Sequence, residues 1–332
     1  MEDSYLYPVA RTRALETKLL DKLQIDRMID AKDCDDVMRI LAETDYACEI
    51  AESYSSQDYE KMLLEETQYV FNYLKEVSPS AELAKIFLLR YDVQNLKVLM
   101  KSKMLGEEYD HLLLDIGNYP LNVLKEAVRE SDFQALDSAL VTGLNLILAE
   151  WAVKQDPQAI DIVLDRCQYQ MMFRWAEESG EAFLLEFVST LIDISNIRTF
   201  FRVRETGQGK DFLQSVILPS GKLGEEFYRN FFDEPVEAIV SQLVYTDYSQ
   251  IIEEGMEIYQ QTKTWTRFEK LLDNYLMDVA KKGKYASFSI EPLIGFMVAK
   301  EYEIKGIRMI MVGKNNKIPN DVIRERLRDA YV

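Results

Sequence analysis

The sequence holds one histidine and three cysteines in 332 residues, and that scarcity removes several chemistries at once. His111, in "EEYDHLLLDIG", leaves no histidine pair for a metal and no choice of Ser-His or Cys-His partner. It reads as a helix-edge residue. Cys34, Cys48 and Cys167 are too few for a disulfide framework and lack CxxC spacing, which fits a reducing, cytoplasmic compartment. Long apolar runs are missing too. No uninterrupted stretch approaches the ~18 residues of a membrane span, and "MEDSYLYPVARTRALETKLL" opens with an acidic pair, Glu2 and Asp3, and has no signal-peptide core. Basic residues are outnumbered, 39 against 57 acids, and the net charge of -18 opposes any sequence-independent grip on nucleic acid. Such a grip depends on cations that displace counterions from phosphates.

What is present is a composition, 48% apolar and 29% charged, that suits a large globular core. The acid is uneven: residues 30 to 66 hold twelve Asp and Glu against Lys32, Arg39 and Lys61, a net of -9, while the last 33 residues carry +3. The few prolines sit where helices are expected to start or break, at Pro79, Pro120 and Pro319. Between them apolar residues recur at helical spacing. Only "SVILP" and "IRMIMV" look briefly strand-like, each too short to seed a sheet. The expected fold class is all-α.

One helix is written three times. "RYDVQNLKVLMKSKMLG" at 90–106 returns as "LIDISNIRTFFRVRETG" at 191–207 and as "EYEIKGIRMIMVGKNNK" at 301–317. The stripe Ile86, Leu89, Val93, Leu96, Met100 has counterparts Phe187, Thr190, Ile194, Ile197, Phe201 and Met297, Lys300, Ile304, Ile307, Met311. An acid (Asp92, Asp193, Glu303), an amide or small residue (Asn95, Asn196, Gly306) and a base (Lys97, Arg198, Arg308) keep register beside the stripe. Repeated polar residues at such an edge more often tie elements together than bind a ligand. A second signature precedes each copy: Thr44-Asp45-Tyr46, Ser131-Asp132-Phe133 and Thr246-Asp247-Tyr248. Its short polar side chains are suited to close one helix and cap the next, with the aromatic packed across the corner. The expectation is three similar helical units, 1–118, 119–221 and 222–332, arranged with pseudo-threefold symmetry as a thick-walled funnel.

Catalytic motifs fail on inspection. Gly209-Lys210, Gly221-Lys222, Gly283-Lys284 and Gly313-Lys314 are followed by Asp, Leu, Tyr and Asn, not by the Ser or Thr of a phosphate loop. "DCDD" at 33–36 lacks the third ligand of a DDxxD magnesium site and reads as an acidic helix N-terminus. No catalytic, cofactor or metal residues are assigned.

The three D-x-x-N-type helices, and above all "IEPLIGFMVAKEYEIKGIRMIMVGKNNKIPNDVIRERLRDAYV" at 290–332, resemble a component of the rotary V-type ATPase/ATP synthase, the one called C in bacteria and archaea and d in eukaryotes. The resemblance covers essentially the whole chain; Gly306 and Lys300 are modest departures. It implies a non-catalytic rotor adaptor without cofactor, peripheral on the cytoplasmic face of the membrane. Its implied partners are central-shaft subunits of the D and F types and the cytoplasmic loops of the proteolipid ring. Partner-facing or funnel-lining candidates are then Asp92, Asn95, Lys97, Asp193, Asn196, Arg198, Glu303 and Arg308. Arg324, Arg326 and Arg328 suit acidic partner surfaces or helix-end carbonyls. A helical scaffold of another complex is the alternative expectation, since it would share the triplication and the lack of chemistry.

Overall fold

A computed structural model of the chain describes residues 2–46 and 55–331, with side chains from Ser4 onward. Its helices in chain order are α1 (Glu2–Glu16), α2 (Lys22–Asp30), α3 (Cys34–Leu41), α4 (Tyr59–Val77), α5 (Ala81–Leu105), α6 (Leu121–Glu130), α7 (Ser138–Lys154) and α8 (Pro157–Glu178). There follow α9 (Ala182–Glu205), α10 (Lys210–Val216), α11 (Glu225–Asn230), α12 (Val236–Gln242), α13 (Tyr248–Thr262), α14 (Thr266–Lys281), α15 (Glu291–Asn315) and α16 (Asn320–Arg326). No strand occurs among the described residues, so the fold is all-α. "SVILP" runs off the end of α10, and "IRMIMV" lies inside α15.

Local chemistry accounts for many boundaries. Pro120 and Pro319 stand at the N-caps of α6 and α16, where a missing N–H costs nothing. Asp21, Asp33, Asp137 and Asp156 cap α2, α3, α7 and α8 by accepting from first-turn N–H groups, and at α2 Gln24 reaches back to complete a capping box. Gly106 ends α5 in the left-handed region at φ 72°.

The corner signatures behave differently from the capping expectation. The Thr44 and Thr246 hydroxyls donate backward, to the carbonyls of Leu41 (2.6 Å) and Leu243 (2.7 Å), and close the preceding helix. Asp247 stands at the N-cap of α13 with helical rather than extended backbone and makes no side-chain cap; its carboxylate accepts from the Tyr275 hydroxyl at 3.0 Å. Asp132 accepts from the Gln134 N–H within a turn, and the cap of α7 falls to Asp137. Asp45 takes the Lys18 ammonium at 3.0 Å. The aromatics Tyr46, Phe133 and Tyr248 are all buried, as a corner-packing role requires. The remainder of the first signature, and Cys48 with it, lies outside the described residues.

The chain forms two compact units, residues 80–233 and residues 1–79 with 234–332. In the first, α5 lies along α8, and Phe87 stacks on Phe187 of α9 with ring centroids 5.9 Å apart. In the second, α15 packs against α1, α4 and α14. The core there joins Met28, Val37 and Leu63 from the start of the chain to Ile304, Met311 and Ile323 from its end. All fifteen stripe positions of the three repeated helices are buried. These helices are covered on more than one side, since Leu83, Phe87 and Leu88 of α5 are buried besides its stripe. They are central helices rather than amphipathic surface ones, and each buried Leu or Ile contributes ~1.5–3 kcal/mol of transfer free energy.

Candidate functional site

The register residues of the repeated helices hang loops on buried polar groups. On α5, Asp92 is fully buried, and its carboxylate accepts from the N–H groups of Asn118 (2.9 Å) and Tyr119 (3.1 Å) and from the Asn118 side-chain amide (2.9 Å). One turn on, Asn95 donates to the carbonyl of Leu114 at 2.7 Å and accepts from its N–H at 2.9 Å. A short D-x-x-N motif thus fixes both ends of the segment from Leu114 to Tyr119. Donors that would otherwise be buried without partners are satisfied by an acceptor of the right charge.

The second copy repeats the device. On α9, Asp193 accepts from the N–H groups of Lys222 (3.2 Å) and Leu223 (3.0 Å), and Asn196 pairs both ends of its amide with Leu218 at 2.8 Å. The held loop lies three residues farther along the chain than in the first copy, 22 rather than 19 residues from the asparagine. Its anchors are the same. In both loops a glycine, Gly117 or Gly221, sits directly against the aspartate.

The third copy keeps the acid but takes its loop from the other end of the chain. Glu303 of α15 accepts the N–H of Leu20 at 2.6 Å, 283 residues upstream, and the Tyr46 hydroxyl at 2.8 Å. Lys300 lies beside it, 2.8 Å from Glu303 and 2.5 Å from Glu66 of α4, with its ammonium 4.7 Å from the Tyr46 ring centroid. All three charged side chains are about nine-tenths buried. Burial pulls the Lys300 pKa down, but Glu303 and Glu66 outweigh it and hold the ammonium above its ordinary value. Lys300, the interruption in the third apolar stripe, is therefore paired within the core. Gly306, in the place of the amide, has only a Leu327 methyl within van der Waals reach of a hypothetical Cβ.

Two of the repeated bases pair with acids on neighbouring helices. Lys97 of α5 pairs with Asp165 of α8 at 2.6 Å, and Arg308 of α15 pairs with Glu60 of α4 at 2.9 Å. Arg198 of α9 is partly buried near Tyr169 of α8, whose phenol is pushed up mainly by burial. The terminal arginines divide. Arg324 reaches Asp30 (3.0 Å) and Asp26 (3.4 Å) of α2, and Arg328 reaches Asp273 of α14 at 2.7 Å. Arg326 is exposed, and among the described residues its guanidinium meets no carboxylate.

Several participants escaped the sequence reading. Gly221 drew notice only as half of a Gly-Lys pair and Gly117 not at all, and Leu20 and Glu66 carried no signal. His111 lies in an exposed 3₁₀ turn, Asp110–Leu112, rather than on a helix edge. Among the described residues no group of three His, Cys, Asp or Glu could hold a metal ion.

Comparison with known proteins gives a consistent picture. Residues 8–326 match the family model described as ATP synthase (C/AC39) subunit. The C subunit of the V-type sodium ATPase of Enterococcus hirae is 31% identical over 331 residues, covering 100% of this chain and 99% of that one. The C subunit of the A-type ATP synthase of Methanocaldococcus jannaschii is 27% identical, covering 97% of this chain and 86% of that one.

Proposed function

The chain belongs to the ATP synthase (C/AC39) subunit family, and from that premise we propose that it is a non-catalytic adaptor in the rotor of a V-type ATPase or ATP synthase. It joins the central shaft, built from D- and F-type subunits, to the cytoplasmic loops of the membrane proteolipid ring. It passes torque between them for proton or sodium transport. Its place is the cytoplasmic face of the membrane. Among the described residues no helix is long and apolar enough to cross a membrane.

The observation that carries this reading is similarity along essentially the whole length of both chains to the C subunit of a rotary enzyme. The clamps support it physically. A part that transmits torque has to move as one piece, and loops bonded to central helices through buried carboxylates and amides follow those helices. On this reading Asp92, Asn95, Asp193, Asn196 and Glu303 fix the loops that partners touch, Lys97, Arg198 and Arg308 brace the helices behind them, and Arg326 faces an acidic partner surface.

Reconstitution tests it. The purified chain, mixed with tagged shaft subunits and with the detergent-solubilised ring, should be retained by each and should bridge the two. Retention by neither would overturn the reading.

A further inference from the structure

Two of the three loop clamps are closed by chain that follows the helix directly, as Asn118 follows Asp92 and Lys222 follows Asp193. The third is closed by the N-terminal segment, through the N–H of Leu20 on Glu303. We propose that residues 2–21 are a releasable strap: they supply in a separable piece what the other copies build in, and they leave α15 as a unit while the rest of residues 1–79 and 234–332 stays folded. The inference stands on the bonds of this compact unit alone and is independent of the rotor reading.

The strap is held mainly by polar contacts. Arg13 directs its guanidinium at the carbonyls of Gly283 (2.6 Å), Lys284 and Ala286 (both 2.9 Å). Glu16 accepts from the Tyr331 hydroxyl at 2.9 Å, Thr12 meets the Tyr73 hydroxyl at 2.7 Å, and Lys18 pairs with Asp45. Its fully covered apolar side chains are few, chiefly Tyr5, Val9, Leu19 and Leu20, against the long buried faces of α5, α9 and α15. Local opening free energies follow such differences, because segments with little buried apolar area and contacts distant in sequence separate before the core does. Undocking also frees Glu303 from one of its donors but leaves it beside Lys300, so the core carboxylate keeps a counter-charge in the open form. That removes the main penalty against opening at this place.

Three equivalent amides report on it: Leu20, Asn118 and Lys222, each donating to the acid of its copy. In native-state hydrogen exchange of the full-length chain, corrected for intrinsic rates, Leu20 should exchange at least about tenfold faster than the other two. Arg13→Gln should accelerate Leu20 further and leave Asn118 and Lys222 unchanged. Tyr331→Phe, which removes the hydroxyl's hydrogen bond to Glu16 and its contact with Arg13, is the second variant should Arg13→Gln fold poorly, and the same selective acceleration is expected. Equal protection at all three amides, or acceleration of all three together by either variant, would overturn the proposal.

Discussion

Gly117 lies so close to Asp92 that a Cβ there would stand 2.1 Å from the carboxylate oxygen, and Gly221 repeats the relation with Asp193 at 2.3 Å. A methyl group at either place has to push the acid off its loop donors. Gly117→Ala and Gly221→Ala should each destabilise by about 1–3 kcal/mol, the usual cost of overpacking. The contrast is Gly306→Ala, inside α15, where the nearest atom is a Leu327 methyl at 3.5 Å. Relief of backbone entropy should make that variant about 0.5–1 kcal/mol more stable. Urea midpoints of the three variants check the pattern, and equal effects of one sign would refute it.

Asn95 and Asn196 each use donor and acceptor on one loop residue, so an aspartate of the same shape leaves a carbonyl facing a carboxylate. Asn95→Asp and Asn196→Asp should cost about 1–3 kcal/mol, the penalty of an unsatisfied buried partner. The cost should be larger at Asn196, where both bonds are buried, whereas those of Asn95 are partly so. Denaturant titration of both variants against Asn→Ala decides whether shape or hydrogen bonding holds the loop.

The helices were legible because their information is in side chains: the apolar stripes, the prolines at starts and the acidic helix start at Asp33 all act within a few residues of themselves. The register acids were legible as structure for the same reason, since their spacing beside a stripe survives in all three copies. What they hold was not. Their partners are backbone N–H groups, which every residue but proline possesses, so nothing in the letters Asn118 or Lys222 marks them as donors. Leu20 was farther out of reach, because a contact 283 residues away leaves no periodicity to read. Half of the corner reading held, since Thr44 and Thr246 close the helix behind them, but the helical backbone at Asp247 keeps its carboxylate from capping the next.

Lys300 sits between Glu66 and Glu303 with all three charges removed from water. Lys300→Met should cost about 3–5 kcal/mol, because it leaves two carboxylates buried together. The folded pKa of Lys300 is raised above lysine's ordinary 10.5. Its contribution is therefore full below that value and is lost as pH rises through the folded pKa. Melting curves from pH 8 to 11.5 should show a loss of stability at the alkaline end that is smaller in Lys300→Met than in the parent. Parallel losses in both would assign the alkaline transition elsewhere.

Lys97 and Arg308 occupy equivalent positions but unequal surroundings. The Lys97 side chain is 16% exposed, though its partner Asp165 is 46% exposed, whereas Arg308 and Glu60 are 42% and 53% exposed, so the difference lies in the lysine. Water screens the second pair, so Arg308→Ala should change stability by no more than ~0.2–1 kcal/mol, and Lys97→Ala by more. Double-mutant cycles with Asp165→Ala and Glu60→Ala measure the two couplings directly, and a stronger Arg308 coupling would contradict the ranking.

Of the three terminal arginines, two are engaged inside the chain, and this separates stability from binding. Reversing Arg328 sets a carboxylate against Asp273 in a pair whose side chains are about four-fifths buried, so Arg328→Glu should lower the melting temperature. Arg326 is exposed and touches no acid among the described residues, so Arg326→Glu should stay within about 0.5 kcal/mol of the parent. If the adaptor reading holds and this end faces an acidic partner, the same variant should slow association with the shaft or ring and flatten its dependence on salt, the signature of a rim charge. Binding rates at two ionic strengths, read beside the melting curve, separate the outcomes. Unchanged association with unchanged stability would remove Arg326 from the contact surface and leave the acid-held loops as the place to look.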